Sequence, residues 1–177
     1  TAAEKGTILH KVMEQLDFHQ MAEIWSGNNG KETNLAEIQA VVSDLVKRDI
    51  LTEEEAGVVS YQKIIGFFDS EIGKRACSSG KLYKEISFNI MKELSGEKII
   101  IQGTIDCYFE EDGTYILLDY KSNYIADMED GSEIERMTES YKVQLELYRE
   151  ALERIRGIKV KEAYLYLFHI SQAIRIF

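Results

Sequence analysis

Residues 98–121 read KIIIQGTIDCYFEEDGTYILLDYK, and this stretch decides the fold. Apolar side chains dominate both of its halves, and the dipeptide Asp112-Gly113 stands between them. Asp-Gly is a strong signal for a two-residue hairpin turn, because both central positions of that turn require a positive φ. We therefore predict two antiparallel strands, at 98–109 and 114–121, joined by a tight turn.

The sheet is expected to extend on both sides of this hairpin. Upstream, Ile86, Phe88 and Ile90 alternate with polar residues, as in a half-buried strand, and Ser95-Gly96 supplies the turn that follows it. Downstream, a polar loop at 123–133 precedes a helix of about 20 residues that ends near Arg156-Gly157. Further strands are predicted at 161–168 and 173–177.

The first 80 residues show a helical period instead of a strand period. We expect Asn34 to cap the N-terminus of one helix, after a loop at 25–30. Thr52 and Glu55 form a capping-box pattern before a further helical stretch with a break near Gly57. The order of elements predicts one α/β domain over 1–177, with a mainly helical portion at 1–80 and a mixed central sheet and helix at 81–177.

The composition bounds the function before any motif is considered. The chain has 177 residues, 45% of them hydrophobic, and a net charge of −10, which argues against a protein that coats nucleic acid through a basic surface. No apolar run is long enough to span a membrane, and no secretory signal opens the sequence, so we expect a cytoplasmic protein. Because the first residue is Thr1 in place of a methionine, we also expect a fragment of a longer chain.

The two cysteines are expected to remain free thiols. Cys77 and Cys107 stand far apart in sequence and lack the paired spacing of metal ligands. This excludes a zinc or iron–sulfur site built from cysteines of this chain, and it agrees with a reducing compartment.

The turn positions also predict which residues face each other across the sheet. A two-residue turn at Asp112-Gly113 makes opposed residue numbers sum to 225, which places Asp106 across from Asp119. A turn centred on Ser95-Gly96 gives a sum of 191, which places Glu85 across from Asp106. Directly opposed Cβ atoms lie about 5 Å apart, and like charges at that distance are unfavourable. A row of three carboxylates therefore indicates a hard divalent cation such as Mg²⁺.

Lys121 adds a cation to this row. Residues two apart on a strand share a face, so Lys121 points the same way as Asp119. An ammonium group beside metal-binding carboxylates can stabilise the charge that develops on a transferring phosphoryl group. The alternative is an ordinary surface salt bridge, although the apolar run 115–118 before Asp119 indicates a buried central strand.

On the first helix, Gly6 lies one turn before His10, so the two share a helix face. A glycine at this position would leave room for a phosphate or a metal ion to approach the backbone. His19 and His169 lack partners at ligand spacing, and we interpret both as structural.

Five short motifs follow one another in order along the chain. They are Gly6-Thr7-Ile8-Leu9-His10, Glu85, Gly103-Thr104-Ile105-Asp106, Asp119-Tyr120-Lys121-Ser122 and Gln144-Leu145-Glu146-Leu147-Tyr148. The series resembles the RecB-like nuclease family of the PD-(D/E)xK superfamily, and the resemblance spans essentially the whole chain. Within that family, the sequence at 2–10 and 116–121 is similar to the C-terminal nuclease domains of the AddA (RexA) type.

The resemblance implies a restriction-endonuclease-like fold and a role for each matching residue. The implied metal ligands are His10, Asp106, Asp119 and the backbone carbonyl of Tyr120. The implied catalytic residues are Asp106, Asp119, Lys121 as the catalytic lysine, Glu85 near the metal, and Gln144 and Tyr148, which position the active site and the DNA strand.

The resemblance also implies an activity and its partners. The activity would be a Mg²⁺-dependent exonuclease, with Mn²⁺ able to substitute in vitro, that cuts single-stranded DNA from a processed duplex end during double-strand-break processing. The partners would be the N-terminal helicase domains of the same parent chain and a second, AddB-type protein, with no membrane involved.

Two alternatives stay open at this point. A stand-alone RecB-like exonuclease would share every motif. A non-catalytic DNA-end-binding module on a nuclease fold would usually lose a carboxylate or the lysine, and the sequence retains all of them.

Overall fold

The structure is a computed structural model that describes residues 1–25, 30–126 and 131–177. Within these ranges the chain forms seven helices and five strands. The helices are α1 Ala2–Gln15, α2 Phe18–Trp25, α3 Gly30–Lys47, α4 Glu53–Gly57, α5 Tyr61–Asp69, α6 Glu71–Ser78 and α7 Ser132–Arg156. The strands are β1 Leu82–Leu94, β2 Glu97–Glu111, β3 Thr114–Lys121, β4 Val160–Leu167 and β5 Gln172–Arg175.

The five strands form one mixed sheet in the order β1-β2-β3-β4-β5. Strands β1, β2 and β3 are an antiparallel meander. Strand β4 runs parallel to β3, since Tyr115 N–H donates to the Lys159 carbonyl at one end and Phe168 N–H donates to the Lys121 carbonyl at the other. Helix α7 provides the crossover that a parallel pair requires. The predicted mixed α/β fold with a central sheet is therefore confirmed.

Both predicted hairpin turns are present. Ser95 and Asp112 adopt positive φ values of 53° and 51°, and the glycine that follows each of them also has a positive φ. A positive φ at both central residues is the requirement of a type I′ turn, and it explains why Ser-Gly and Asp-Gly stand there.

The prediction for Asn34 is wrong. Helix α3 begins at Gly30, so Asn34 lies inside the helix, where its side chain is buried. A capping residue must have non-helical backbone angles, and the residues before Asn34 are already helical. Of the predicted loops, residues 26–29 and 127–130 lie outside the part of the chain that the structure describes.

The helical stretch after Thr52 contains a second break that the sequence pattern did not predict. Its capping box at Thr52 and Glu55 is present, and α4 ends at Gly57 as expected. The chain then bends again at Ser70, whose hydroxyl accepts a hydrogen bond from Gly73 N–H and donates one to the Phe67 carbonyl. A Cβ on Gly73 would lie 2.0 Å from that carbonyl oxygen, so the bend requires glycine.

By their internal contacts the described residues group into two compact units. The first unit takes its residues from 1–79, 120–126 and 166–173. Its core centres on Phe67, whose ring packs within 6.0 Å of the rings of Phe18, Phe68, Tyr120, Tyr166 and Phe168. This aromatic core fixes the strand ends around Tyr120 against the helices of the same unit.

The second unit takes its residues from 80–119, 127–165 and 174–177. It contains the meander and helix α7, which buries Leu145, Tyr148, Ala151 and Leu152. Within the described ranges, no helix combines the length and the apolar character needed to cross a membrane.

Candidate active site

Two carboxylates meet at an interruption of the β1–β2 ladder. The ladder pairs Lys84 with Cys107 and then Ile86 with Ile105, and it passes over Glu85 and Asp106 between them. The residue numbers of the pairs sum to 191 on both sides of this interruption, as predicted from the Ser95-Gly96 turn. Glu85 has a φ of 50°, a left-handed conformation that is uncommon for glutamate. The carboxylate oxygens of Glu85 and Asp106 lie within 4.8 Å of each other.

Asp119 on strand β3 is the third carboxylate of the predicted row. The β2–β3 ladder pairs Cys107 with Leu118, so Asp106 and Asp119 are the next residues along the two strands, in the predicted register of 225. Asp119 is only 2% exposed and Asp106 only 7% exposed. Buried carboxylates of like charge are costly unless hydrogen bonds or a cation compensate for them.

The negative charges of all three carboxylates act on the hydroxyl group of Tyr148, which lies on α7. Burial raises the pKa of its hydroxyl to about 12, and the negative charges of Asp119, Asp106 and Glu85 add to that rise. Gln144 Nε2 donates a hydrogen bond to the Tyr148 hydroxyl oxygen at 2.7 Å. The raised pKa means that the Tyr148 hydroxyl keeps its proton well into the alkaline range, and it can donate that proton in a hydrogen bond.

The position of Tyr148 depends on Gly103. The ring of Tyr148 packs edge-on against Phe88, with 5.4 Å between the ring centroids. Phe88 is paired with Gly103 across the β1–β2 ladder. A Cβ on Gly103 would lie 2.8 Å from the Phe88 ring, which would have to shift, and at an ordinary contact distance of 3.4 Å from the Tyr148 ring, so glycine keeps in place the Phe88 ring against which Tyr148 packs.

The other candidate residues belong to the first unit. Lys121 ends β3, and its backbone carbonyl accepts a hydrogen bond of 2.9 Å from Phe168 N–H. Tyr120 is buried, and its ring packs edge-on against the half-buried His10 of α1, at 5.8 Å between ring centroids. The aromatic core thus holds His10 beside the residue that precedes Lys121.

Gly6 serves a purpose different from the expected one. The sequence suggested that its missing side chain leaves space for a phosphate or a metal ion. In the structure Gly6 is buried, and a Cβ there would lie 2.7 Å from Ser122 Oγ. Gly6 therefore allows α1 to pack closely against the residue that follows Lys121. The sequence pattern gave Ser122 no role of its own, because its contact with Gly6 forms only in the folded chain.

The two remaining histidines differ in their surroundings. His19 is exposed near the start of α2, where Asp17 accepts a hydrogen bond from its backbone N–H. The Nδ1 atom of His169 accepts a hydrogen bond of 3.2 Å from Ile125 N–H. The contact of His169 agrees with the structural role that we expected for it.

Comparison with known proteins relates the chain to nucleases. The model of the PD-(D/E)XK nuclease superfamily matches residues 1–174. The chain is 41% identical over 179 residues to an ATP-dependent helicase/nuclease subunit of Thermoanaerobacter sp. (strain X514), a match covering 95% of this chain and 13% of that protein. It is 42% identical over 185 residues to the protein of the same name from Alkaliphilus metalliredigens, covering 99% of this chain and 14% of that protein. The chain therefore spans about one seventh of the length of these relatives.

Proposed function

Because the chain belongs to the PD-(D/E)XK nuclease superfamily, we propose that it is a Mg²⁺-dependent exonuclease that hydrolyses phosphodiester bonds of single-stranded DNA. The observation that carries this proposal is the meeting of Glu85 and Asp106 where the β1–β2 ladder is interrupted. Two neighbouring carboxylates repel each other, and the strained φ of Glu85 adds to the cost. A catalytic requirement accounts for both features.

The donor atoms of this arrangement fit a hard divalent cation. Mg²⁺ binds carboxylate oxygens and retains several waters, and a cation would offset the repulsion between Glu85 and Asp106. We propose that Asp106, Asp119, His10 and the backbone carbonyl of Tyr120 hold Mg²⁺, with Mn²⁺ able to replace it in vitro. When bound, the ion supplies Lewis-acid activation of water and charge neutralisation at the phosphate. Cys77 and Cys107 are both buried free thiols, so we propose no iron–sulfur cluster for this chain.

The protein side chains have separate roles in the proposed reaction. Lys121 donates a hydrogen bond to a non-bridging phosphate oxygen and stabilises the negative charge that develops on it. Glu85, half-buried beside Asp106, accepts a hydrogen bond from the attacking water and orients it. The backbone bond from Phe168 N–H to the Lys121 carbonyl fixes the main chain from which the lysine side chain extends.

We propose that Tyr148 and Gln144 position the site without taking part in bond breaking. The Tyr148 hydroxyl accepts a hydrogen bond from Gln144 and stays protonated, so its own proton points away from that contact. It can therefore donate to an acidic side chain or to a phosphate of the DNA strand. This assignment gives both residues of the Gln144–Tyr148 motif a function through geometry alone.

The relatives suggest the context in which this activity operates. Both are called ATP-dependent helicase/nuclease subunits. We propose that the chain is the nuclease domain of an AddA-type protein, with helicase domains N-terminal to it in the parent chain and a separate AddB-type partner. In that context the motor delivers single-stranded DNA during double-strand-break processing in the cytoplasm.

The test is degradation of end-labelled linear single-stranded DNA in Mg²⁺ and in EDTA. Asp119→Asn and Lys121→Ala should each lower the rate by at least about 100-fold, because each removes a group that acts on the reacting phosphate. The matched controls are Asp112→Asn in the hairpin turn and Lys98→Ala on the exposed part of β2. Circular single-stranded DNA should persist, since an exonuclease needs an end. Full activity in both Asp119→Asn and Lys121→Ala would contradict the proposal.

A further inference from the structure

A groove of about 470 Å³ opens on the surface of the first unit. Its walls come from the start of α1, the segment 58–63, and the residues that directly follow β3 and β4. The polar lining includes Lys5, Lys63, Ser122, Tyr124 and His169. None of these residues takes part in the reaction proposed above, so the groove needs its own explanation.

Tyr124 presents an aromatic surface to solvent at this groove. Its side chain is 71% exposed. The ring nevertheless rests against His169, with 4.4 Å between the centroids. His169 is itself held by the hydrogen bond from Ile125 N–H to its Nδ1 atom, and Ile125 is buried. Tyr124 is thus an exposed but supported ring, the kind of platform on which nucleobases stack.

The charge of the groove differs from that of the chain. The full sequence has 31 acidic and 21 basic residues. The described residues that line the groove include two lysines and a histidine and no aspartate or glutamate. The groove also has apolar walls at Ile8, Leu9, Val58 and Val59, and the two lysines at its lining give it a charge opposite in sign to that of the chain, which favours a polyanion.

Two residues that line the groove closely follow the candidate catalytic lysine in the sequence. Ser122 is the next residue after Lys121, and Tyr124 lies three positions after it. On the opposite strand, Phe168 N–H donates to the Lys121 carbonyl, and His169 follows Phe168. A ligand lying on Tyr124 and His169 is therefore held a few residues from Lys121.

We propose that this groove binds single-stranded DNA next to the scissile phosphate, with one nucleobase stacked on Tyr124 and neighbouring phosphates held by Lys5 and Lys63. The proposal deepens the nuclease function and rests on it for the identity of the ligand. Stacking on a tyrosine tolerates every base, which suits an enzyme that must degrade any sequence.

The first measurement is binding of a fluorescein-labelled oligothymidylate of about 12 nucleotides by fluorescence anisotropy, in EDTA so that no cleavage occurs. At physiological salt the chain should bind with a dissociation constant of about 10⁻⁴ to 10⁻⁶ M, the range of sequence-independent binding. Tyr124→Ala should weaken binding by at least about fivefold, whereas Tyr124→Phe keeps the ring and should stay within about twofold. Lys63→Ala should reduce the slope of log affinity against log salt by about 0.7, the contribution of one phosphate contact.

The matched controls are Lys74→Ala, an exposed lysine of the same unit outside the groove, and Tyr83→Ala on β1. Both should bind the oligonucleotide as the unchanged chain does. If Tyr124→Ala also binds as the unchanged chain does, or if the chain binds no oligonucleotide, the groove proposal is overturned.

A second measurement separates this proposal from the nuclease function. Hydrolysis of bis-(p-nitrophenyl) phosphate in Mn²⁺ by the unchanged chain tests the proposed chemistry without an oligonucleotide. Oligonucleotide binding that depends on Tyr124, without hydrolysis of either substrate, would support the groove and contradict the nuclease.

Discussion

At the scale of single residues, glycines set how closely neighbouring groups approach in each unit. Gly6 has Ser122 Oγ where a side chain would begin, and Gly103 has the Phe88 ring there. Neither glycine has a positive φ, so both are required by space and not by backbone conformation. Gly6 thus packs against the residue that follows Lys121, and Gly103 packs against the two rings of Phe88 and Tyr148, which gives a physical reason for glycine in both motifs.

Gly103→Ala should therefore displace Tyr148 without touching any charged group. The added methyl group must push the Phe88 ring, and overpacking of this kind costs about 1–3 kcal/mol of stability. We expect a lower melting temperature by calorimetry and a slower degradation of single-stranded DNA. Gly80→Ala is the control, because open space surrounds Gly80 and its φ is not positive. Equal stability and activity in the two alanine variants would contradict this account of Gly103.

At the scale of elements, the β1–β2 hairpin combines a regular register with one strained position. The pairing continues unchanged on both sides of Glu85, so the positive φ there is a local distortion and not an inserted residue. A non-glycine residue in the left-handed region costs about 1–2 kcal/mol. The repulsion between Glu85 and Asp106 acts in the same direction.

Glu85→Asn should raise the stability of the chain and lower its nuclease activity. Asparagine tolerates the left-handed conformation and carries no charge, so the free energy of unfolding in EDTA should rise by about 1 kcal/mol. Degradation of single-stranded DNA should fall by at least about tenfold, because a group that orients water is lost. Urea denaturation and the nuclease assay measure the two effects. Glu93→Gln, an exposed position on the same strand, should change neither quantity, and a destabilised Glu85→Asn would refute the claim of strain.

The register of the meander could be predicted from the sequence, because a two-residue turn fixes every pair that follows it. Ser95-Gly96 set the register of Glu85 with Asp106, and Asp112-Gly113 set the register of Asp106 with Asp119. The left-handed backbone of Glu85 could not be predicted, since no side-chain pattern marks strain that the surrounding sheet imposes. The bend at Ser70 was missed for a related reason. Gly73 stands in an apolar helical pattern, and only the tertiary position of the Phe67 carbonyl shows why it is glycine.

At the scale of the whole molecule, the net charge of −10 first argued against nucleic acid. Two features change this interpretation. Part of the negative charge belongs to the candidate metal-binding carboxylates, and the groove beside Tyr124 contains lysines and no carboxylate among its described residues. The amino-acid composition could not reveal either feature, because it does not say where in the folded chain each charged residue lies. The acidic balance is therefore compatible with a protein that handles DNA through one local groove and a bound cation.

Removal of the cation should consequently destabilise the whole chain. A ligand that binds only the folded state at 100 times its dissociation constant adds about 2.7 kcal/mol, which for a domain of this size raises the melting temperature by about 5–10 °C. We expect this rise when Mg²⁺ or Mn²⁺ replaces EDTA in calorimetry.

Asp106→Asn should melt higher than the unchanged chain in EDTA, since one of two repelling charges is gone, and should lose the response to metal. Asp112→Asn should keep the full response. If neither Mg²⁺ nor Mn²⁺ changes the melting temperature of the unchanged chain, its carboxylates are held together without a cation. The proposed metal site would then be wrong.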